Sequence, residues 1–264
     1  MSALLRAEWT RLTGTTLWLW GLLAALGSGA AVGLLALAGP ENFTPPLPGL
    51  DTAEGAHTLL GLLGFTVFAP ALLGTIAVSA EYRHRTITTT TLFAPRRWTW
   101  LAAKLAIYTG AGLVYGVIAA AVTGGALLAV ATLKGITLGL PAVTIAALLA
   151  RIALTMAVYT LLGVAVGALL RNQVTALVAV GAYFYMVETV LMLIPGIKAL
   201  YPYLPGGATA ALTGFTYLAN AIADQTGTAS AHLLSAPAGA AVLVCYALIA
   251  VAIAVAAPLR RDIL

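Results

Sequence analysis

The chain has 264 residues, of which 61% are hydrophobic and only 8% are charged, and its net charge is +5. A soluble domain of ordinary composition carries about 25% charged residues, so this composition excludes such a domain and indicates a polytopic membrane protein. No interval of normal charge density marks a soluble module, and residues 1–264 are therefore predicted to form a single transmembrane domain. The basic residues lie beside apolar runs, which favours membrane topology over nucleic-acid binding as their explanation.

The first predicted element is a short helix over residues 4–12. Leu5, Trp9 and Leu12 fall on one of its faces, whereas Glu8 and two arginines fall elsewhere. This pattern is typical of a helix that lies in the membrane interface, with its tryptophan at the depth of the headgroups. A frayed polar leader is the alternative interpretation.

Six apolar stretches are long enough to cross a bilayer, which needs about 20 residues. The first is interpreted as an uncleaved span, because its apolar run is longer than the roughly 7–15 residues of a signal peptide. The third is longer than one crossing requires, so we expect it to tilt or protrude. The predicted spans, numbered one to six, are residues 16–38, 58–80, 100–132, 142–170, 174–195 and 237–258.

The charges of the connecting loops set the predicted orientation. Residues 39–57 contain acidic residues but no Lys or Arg, so this loop belongs outside. The only basic residues in the other outer loops are Lys134 and Lys198. Both termini are then cytoplasmic, as the positive-inside rule requires. On this layout the basic residues on the cytoplasmic side are Arg6, Arg11, Arg83, Arg85, Arg96, Arg97, Lys104, Arg171, Arg260 and Arg261.

Residues 196–235 separate spans five and six and contain several prolines and glycines. They are too broken for a spanning helix, so we expect short re-entrant or surface helices that pack against protein. Three Gly-x-x-x-Gly spacings begin at Gly29, Gly112 and Gly163 and can let helices approach closely. Because the chain has 27 glycines, we interpret these spacings as packing within the bundle rather than as a dimer motif.

Motifs for catalysis and for ATP binding are absent from the sequence. There is no Gly-x-x-x-x-Gly-Lys-[Ser/Thr] phosphate loop, no His-Glu-x-x-His and no Gly-x-Ser-x-Gly. The three histidines are far from one another and Cys245 is the only cysteine, so no ligand cluster forms in the sequence. We predict no catalytic residue, metal or cofactor in this chain, and an intramembrane hydrolase or metalloenzyme has little support.

The interval 79–104 is the only long polar, charge-dense stretch, and it holds five of the 13 basic residues. Pro95 would halt a helix, and Arg96 with Arg97 can pair with acids on a partner protein or with lipid phosphates. The plainer interpretation is that this positive charge only anchors spans two and three.

This interval resembles the loop between the second and third spans of ABC-2 type permeases, the membrane subunits of many bacterial ABC exporters. The family pattern is an acidic residue that ends span two, a small-Thr-hydrophobic step, a Pro-x-Arg turn and a Lys that opens span three. Arg85 departs from it, because a glycine often precedes the threonine, and residues 259–263 also resemble the family's tail. The matching residues are Ala80-Glu81-Tyr82-Arg83-His84, Thr86-Ile87, Ala94-Pro95-Arg96-Arg97 and Lys104.

The resemblance implies an all-α permease that pairs with itself in the bacterial inner membrane, in contact with lipid, and binds two copies of a separate ABC ATPase. ATP and Mg would belong to that ATPase, whose closure would push on a coupling helix in the loop and on the interfacial N-terminal helix. Its cargo would be an exported drug, antibiotic, peptide or lipid. The residues expected to couple to the ATPase are Glu81, Arg83, Arg85, Thr86, Pro95, Arg96 and Arg97, and Glu81 can also pair with Arg85 at four-residue spacing.

Two charged residues fall inside the predicted spans, Arg151 in span four and Glu188 in span five. At 1.5 Å per residue they lie roughly 30 Å and 25 Å above the turn at Arg171. We expect them to pair, because a lone buried charge costs several kcal/mol. Alternatively, Arg151 reaches the outer headgroups while Glu188 faces a wet vestibule. Since span five often borders the pathway in the family that this chain resembles, Glu188 is also a candidate contact for a cationic substrate.

An aromatic group directly precedes Glu188 and could line a pathway for an amphipathic molecule. Such residues more often pack between helices. The group consists of Tyr183, Phe184 and Tyr185.

Two further functions stay open at this point. An ion-gradient-driven secondary transporter or channel would be expected to show inverted repeats, broken helices or several intramembrane ionisable groups. The other is a membrane immunity or sensor subunit that transports nothing. The permease of an ATP-driven exporter is the leading hypothesis.

Overall fold

The structure is a computed structural model that describes residues 2–43, 46–84, 86, 97–170, 172–194, 197–227 and 229–259. Most of these residues lie in α-helices or in short 3-10 or π turns, and none of them lies in a strand. Six of the helical segments among them are long and apolar enough to cross a membrane. The described chain is therefore all-α, and its helices suit a multi-pass membrane protein.

The α-helices are numbered here in chain order. They are α1 Ser2–Gly14, α2 Leu17–Ala38, α3 Ala53–Leu63, α4 Phe68–Arg83, α5 Arg97–Lys134, α6 Ala142–Leu170, α7 Gln173–Ala182, α8 Glu188–Leu193, α9 Pro205–Thr213, α10 Tyr217–Thr226 and α11 Ala236–Leu259. Three 3-10 turns occupy Pro40–Asn42, Gly64–Val67 and Lys198–Tyr203, and a π turn occupies Tyr183–Val187. The second candidate span joins α3 to α4, and the fifth joins α7 to α8.

The predicted spans agree closely with these helices, and α6 coincides with predicted span four. Span two begins at Ala53 instead of Thr58, because the Thr52 side chain caps α3 by accepting the Gly55 N–H at 3.0 Å. Helix α5 has 38 residues and is roughly 57 Å long at 1.5 Å per residue. The excess length predicted for span three is thus confirmed.

Helix α6 lies at the centre of the bundle and packs on α4, α5 and α11. Its glycines and those of α5 bring backbones into direct contact. A β-carbon at Gly163 would overlap the carbonyl oxygen of Ala71, and one at Gly116 would lie 2.7 Å from the Cα of Ala153. A β-carbon at Gly29 would likewise lie 2.8 Å from that of Val122. The predicted role of these glycines in packing within the chain is confirmed.

The helices alternate in direction, so the bundle has two distinct ends. The loop end is where α4 ends and α5 begins, and there Leu12, Leu101 and Ala254 share one buried cluster. The far end holds the start of α3, the end of α5 and the start of α6. At the far end Lys134 Nζ donates to the Ala36 carbonyl at 3.0 Å, and the Gly139 N–H donates to Leu50 at 3.1 Å.

Between the fifth and sixth candidate spans, the far end carries the 3-10 turn Lys198–Tyr203 and the short helices α9 and α10. Helix α9 begins with Pro205 at its first position and is buried along most of its length against α11. A proline suits the first turn of a helix, where its missing N–H has no partner to lose.

Helix α1 differs from its predicted pattern. Leu12 and Glu8 are buried, at 4% and 3% exposure, while Trp9 is 57% exposed. Within the predicted apolar face, Leu12 is therefore buried in the bundle, whereas Trp9 is left on the surface of the protein. Glu8 turns inward because its charged partners lie on the helices against which α1 packs.

Candidate functional site

Four charged side chains from three helices meet at the loop end. They form the ionic cluster, defined as Glu8 and Arg11 of α1, Glu81 of α4 and Lys104 of α5. Lys104 Nζ lies 2.8 Å from Glu8 Oε2 and 2.7 Å from Glu81 Oε1. Arg11 Nη1 lies 3.1 Å from Glu8 Oε1 and also contacts Glu81. Two acids and two bases thus balance each other.

The ionic cluster is almost dry. Lys104 has no exposed surface and Glu81 is 3% exposed, whereas the Arg11 side chain keeps 35% of its surface. Lys104 Nζ also lies 5.6 Å and 5.4 Å from the ring centroids of Trp100 and Tyr108. Aromatic faces attract cations, and buried charges persist only when they are paired and hydrogen-bonded. The cluster therefore holds α1 firmly to α4 and α5.

The predicted coupling residues lie near this cluster where they are described. Glu81 belongs to it, and its carbonyl accepts the Thr86 N–H at 3.0 Å. Arg83 donates to Gln173 Oε1 at 3.2 Å, which joins the end of α4 to the start of α7. Arg97 is the first residue of α5. Arg85, Pro95 and Arg96, the coupling helix and the Glu81–Arg85 pair lie outside the described residues.

A second buried acid, Glu188, lies towards the far end at the start of α8. It is 4% exposed and borders a cavity of about 70 Å³. This Glu188 cavity is bounded by the α3–α4 junction, α6, the π turn, α8 and α9. Among the described residues that line it, seven are aromatic and Glu188 is the only charged one.

Neutral groups hold the Glu188 carboxylate. The Gly206 N–H donates to its Oε1 at 3.1 Å, and the Tyr183 hydroxyl interacts with it as well. A β-carbon at Gly206 would overlap the other carboxylate oxygen, so this position has no room for a side chain. Burial raises the pKa of nearby Tyr201, and the negative charge of Glu188 raises it further. The tyrosine therefore stays protonated beside the acid.

Two hydroxyls on the cavity wall are already satisfied. The Tyr159 hydroxyl lies 3.0 Å from Thr209 Oγ1, and the Thr209 hydroxyl donates to the Pro205 carbonyl at 2.9 Å. Because Thr209 has a single hydroxyl proton, Tyr159 must be the donor to it. These groups fix the wall instead of pointing a free donor at Glu188.

The expected ion pair between Arg151 and Glu188 is not formed. Arg151 Nη1 donates to the Leu212 carbonyl at 3.3 Å, in the last turn of α9, while Glu188 accepts from Gly206 in the first turn. An anion is stabilised at a helix N-terminus and a cation at its C-terminus. The two charges therefore complement opposite ends of the same short helix, and this replaces direct pairing.

The predicted aromatic group lies within the π turn. The characteristic hydrogen bond of this turn runs from the Glu188 N–H to the Tyr183 carbonyl. Phe184 and Tyr185 line the Glu188 cavity, and Phe184 also packs 5.0 Å from the ring of Tyr159. A π turn inserts an extra residue into a helix and is frequent at functional sites. Whether these residues line a pathway stays a prediction.

Sequence reasoning missed most of the ionic cluster and the walls of the Glu188 cavity. Arg11 and Lys104 are assigned there to membrane orientation or to the family pattern, Glu8 only to a position off the apolar face of its helix, and none of them to one another. A signal for Glu8 was present, since it lies four residues before Leu12 and so shares its helix face. Tyr159 and Gly206 carried no signal, because their neighbours are brought to them only by the fold.

Comparison with known proteins adds no identity: no protein-family model and no curated protein sequence matches this chain.

Proposed function

We propose that this chain is the membrane-spanning permease subunit of an ATP-driven ABC exporter of the ABC-2 type. It forms the translocation pathway for a drug, antibiotic, peptide or lipid-like molecule. It contains no ATP site of its own and is energised by two copies of a separate ATPase. Two permease chains assemble in the bacterial inner membrane, with the loop end and both termini on the cytoplasmic side.

The observation that carries this proposal is the ionic cluster. It joins α1 to the end of α4 and to the start of α5, the two helices from which the basic loop leaves. Because Lys104 and both acids are buried, separating these helices would expose unpaired charges in a dry environment. A push on α1 or on the loop is therefore passed to spans two and three as a movement of whole helices.

The family resemblance supports the same conclusion from the sequence. Glu81, the acid expected to end span two, and Lys104, the lysine expected to open span three, lie 2.7 Å apart across two helices. Two positions of the resemblance are thus joined by a physical contact. In the proposed mechanism, Arg96 and Arg97 receive the ATPase and the Glu81–Lys104 contact transmits its closure to the spans.

The first test is to isolate the partner. The full chain carries an affinity tag in its native membrane, is purified under mild detergent, and the bound proteins are identified. We expect an ABC ATPase and vanadate-sensitive ATP hydrolysis by the purified complex. Recovery of the chain without any nucleotide-hydrolysing partner, in a preparation that retains its native lipids, contradicts the proposal.

The second test separates docking from transmission. Replacing Arg96 and Arg97 by Ala should release the ATPase, because it removes the cations that bind it. Glu81→Gln should leave the ATPase bound but lower ligand-stimulated hydrolysis, because the cluster loses one of its acids. The matched control is Lys198→Ala, whose partly exposed side chain donates to the Ala229 carbonyl at the far end and takes part in no ion pair among the described residues.

One observation favours a second candidate, an ion-gradient-driven secondary transporter. The fifth candidate span contains the π turn Tyr183–Val187, and the acid Glu188 follows it directly. A π turn is a local irregularity frequent at functional sites, and ionisable groups within spans are typical of the substrate sites of such transporters. Uptake or efflux by the purified chain alone in liposomes, driven by a pH or sodium gradient without ATP, would favour this candidate over the exporter.

A further inference from the structure

The Glu188 cavity combines three features that rarely occur together inside an apolar bundle. It is a concave space of about 70 Å³, large enough for a small headgroup, and seven of its described lining residues are aromatic. Its only charged lining residue within the described chain is an acid. An ionisable residue within a membrane span is a functional-site candidate for physical reasons, because its burial is costly unless a partner is supplied.

No cation among the residues that the structure describes supplies that partner. Within the described residues, the ion pairs all belong to the ionic cluster, and Glu188 takes part in none of them. Arg151, the candidate on the neighbouring helix α6, donates instead to the Leu212 carbonyl in the last turn of α9. The Gly206 N–H and the start of α9 stabilise the carboxylate as an anion without neutralising its charge. A carboxyl group without a cationic partner among the described residues is therefore left bordering the cavity.

Four of the rings that line the cavity form two edge-to-face pairs. Phe65 and Phe215 lie 5.5 Å apart between ring centroids, and Phe68 and Tyr185 lie 5.1 Å apart. The faces of such rings carry partial negative charge and attract cations within about 6 Å of the centroid. Tyr185 lines the cavity and is 54% exposed, so its side chain lies at the open side of the cavity.

We propose that the Glu188 cavity is a binding site for an organic monocation, whose ammonium headgroup pairs with Glu188 and is surrounded by the aromatic side chains. A hard metal cation fits these walls less well, since it prefers several oxygen ligands and the Tyr159 and Thr209 hydroxyls already bond to neighbouring groups. An ammonium group gains from both the carboxylate and the rings, whose combination is typical of sites for quaternary amines.

This inference names the substrate class of the exporter and to that extent rests on the proposed function. Its test nevertheless uses the purified full chain alone, without an ATPase. Failure of the cation site and failure of the proposed function therefore give different results. A chain that couples to an ATPase but binds no cation contradicts only the cation site. A chain that binds the cation but has no ATPase contradicts only the exporter.

The probes are benzyltrimethylammonium and neopentylbenzene, its uncharged carbon isostere. The full chain is reconstituted in lipid nanodiscs, and equilibrium binding of radiolabelled benzyltrimethylammonium is measured against empty nanodiscs. We expect saturable binding of the cation to the wild-type chain. The isostere should displace it at least about tenfold less effectively than the unlabelled cation, because it gains nothing from the carboxylate or from the ring faces.

Glu188→Gln is the central variant, because it keeps the side chain's shape and its acceptor for the Gly206 N–H while removing the charge. It should weaken cation binding by about tenfold or more. Tyr185→Leu removes one ring at the exposed rim and should weaken binding by roughly threefold. Glu41→Gln is the matched control, because Glu41 is an exposed acid in the turn after α2, and it should bind the cation as the wild type does.

The outcomes are decisive once gel filtration and thermal unfolding show that each variant is folded. Weaker cation binding in Glu188→Gln and Tyr185→Leu, with normal binding in Glu41→Gln, supports the site. Equal affinity in Glu188→Gln, equal displacement by neopentylbenzene, or no saturable binding by the wild type overturns it. If Glu188→Gln does not fold, unchanged cation binding in Tyr185→Leu overturns the site, and weakened binding supports it.

Discussion

The ionic cluster and the Glu188 cavity differ in the partners that they provide for their buried acids. At the loop end, Glu8 and Glu81 face Lys104 and Arg11, so charge is balanced by side chains that the protein itself supplies. Towards the far end, Glu188 has backbone and hydroxyl donors but no cation among the described residues, and it borders a cavity. A closed, balanced set fixes helices together, whereas an acid held by neutral groups retains a charge that a ligand can use.

This difference predicts how substitutions in the two regions change the free energy of unfolding. Changes in the ionic cluster should lower stability, because every member has a charged partner to lose. Changes around Glu188 should cost less in stability, since its partners are neutral and replaceable.

The largest effect is expected for Lys104→Met, which leaves two buried acids with only Arg11. It should lower the free energy of unfolding by about 3–5 kcal/mol, the usual cost of removing one partner from a buried pair. SDS-induced unfolding followed by circular dichroism measures this difference. The control is Lys198→Met at a partly exposed lysine, and equal stability of the two variants would show that the cluster contributes nothing.

The same chemical change at the two acids compares the regions directly. Glu8→Gln should cost about 1.5–3 kcal/mol, because hydrogen bonds to charged groups are lost. Glu188→Gln should cost about 1 kcal/mol or less, because its amide oxygen still accepts the Gly206 N–H. The same unfolding assay on both variants decides the matter, and a larger loss at Glu188 would reverse the comparison.

Gly206→Ala tests how tightly α9 is pressed against the Glu188 carboxylate. The new β-carbon would overlap a carboxylate oxygen, so we expect a loss of about 1–3 kcal/mol from overpacking. At Gly64 the nearest atom to a new β-carbon is a Thr209 methyl at 3.7 Å, an ordinary contact. Gly64→Ala is therefore the matched control and should show no loss in thermal unfolding.

The smallest effect is expected for Arg151→Met, which removes the cation from the last turn of α9. A charge at a helix end contributes about 0.3–1 kcal/mol, and the loss should fall in that range. Exchanging the two charges in a double variant, Arg151→Glu with Glu188→Arg, should not restore stability, because each end of α9 would then meet the unfavourable charge. Recovery in the double variant, measured by thermal unfolding, would show that the two residues pair directly.

The spans and their limits could be predicted well from the sequence. Helix α6 coincides with the apolar run 142–170, and the excess length of α5 follows from the run that begins near Trp100. These features depend only on hydropathy and length, which each segment carries in its own residues. The glycine spacings also had their predicted role, since a missing side chain allows close approach wherever two helices cross.

The partners of the charged residues could not be predicted in the same way. Arg151 and Glu188 lie at similar depths in neighbouring spans, which made a direct pair the simplest expectation. The structure inserts α9 between them and uses its two ends instead. Likewise, the predicted apolar face of α1 assigned Glu8 outward, because the sequence does not show that Lys104 lies behind it.

The sequence by itself determined that the chain is all-α, with six apolar helices and a basic loop between the second and third. The tertiary structure alone decided that four charges neutralise one another at the loop end while Glu188 is left beside an aromatic cavity. The physical reason is that hydropathy is a property of each segment, whereas the stability of a buried charge depends on which atoms other segments bring within a few ångströms of it.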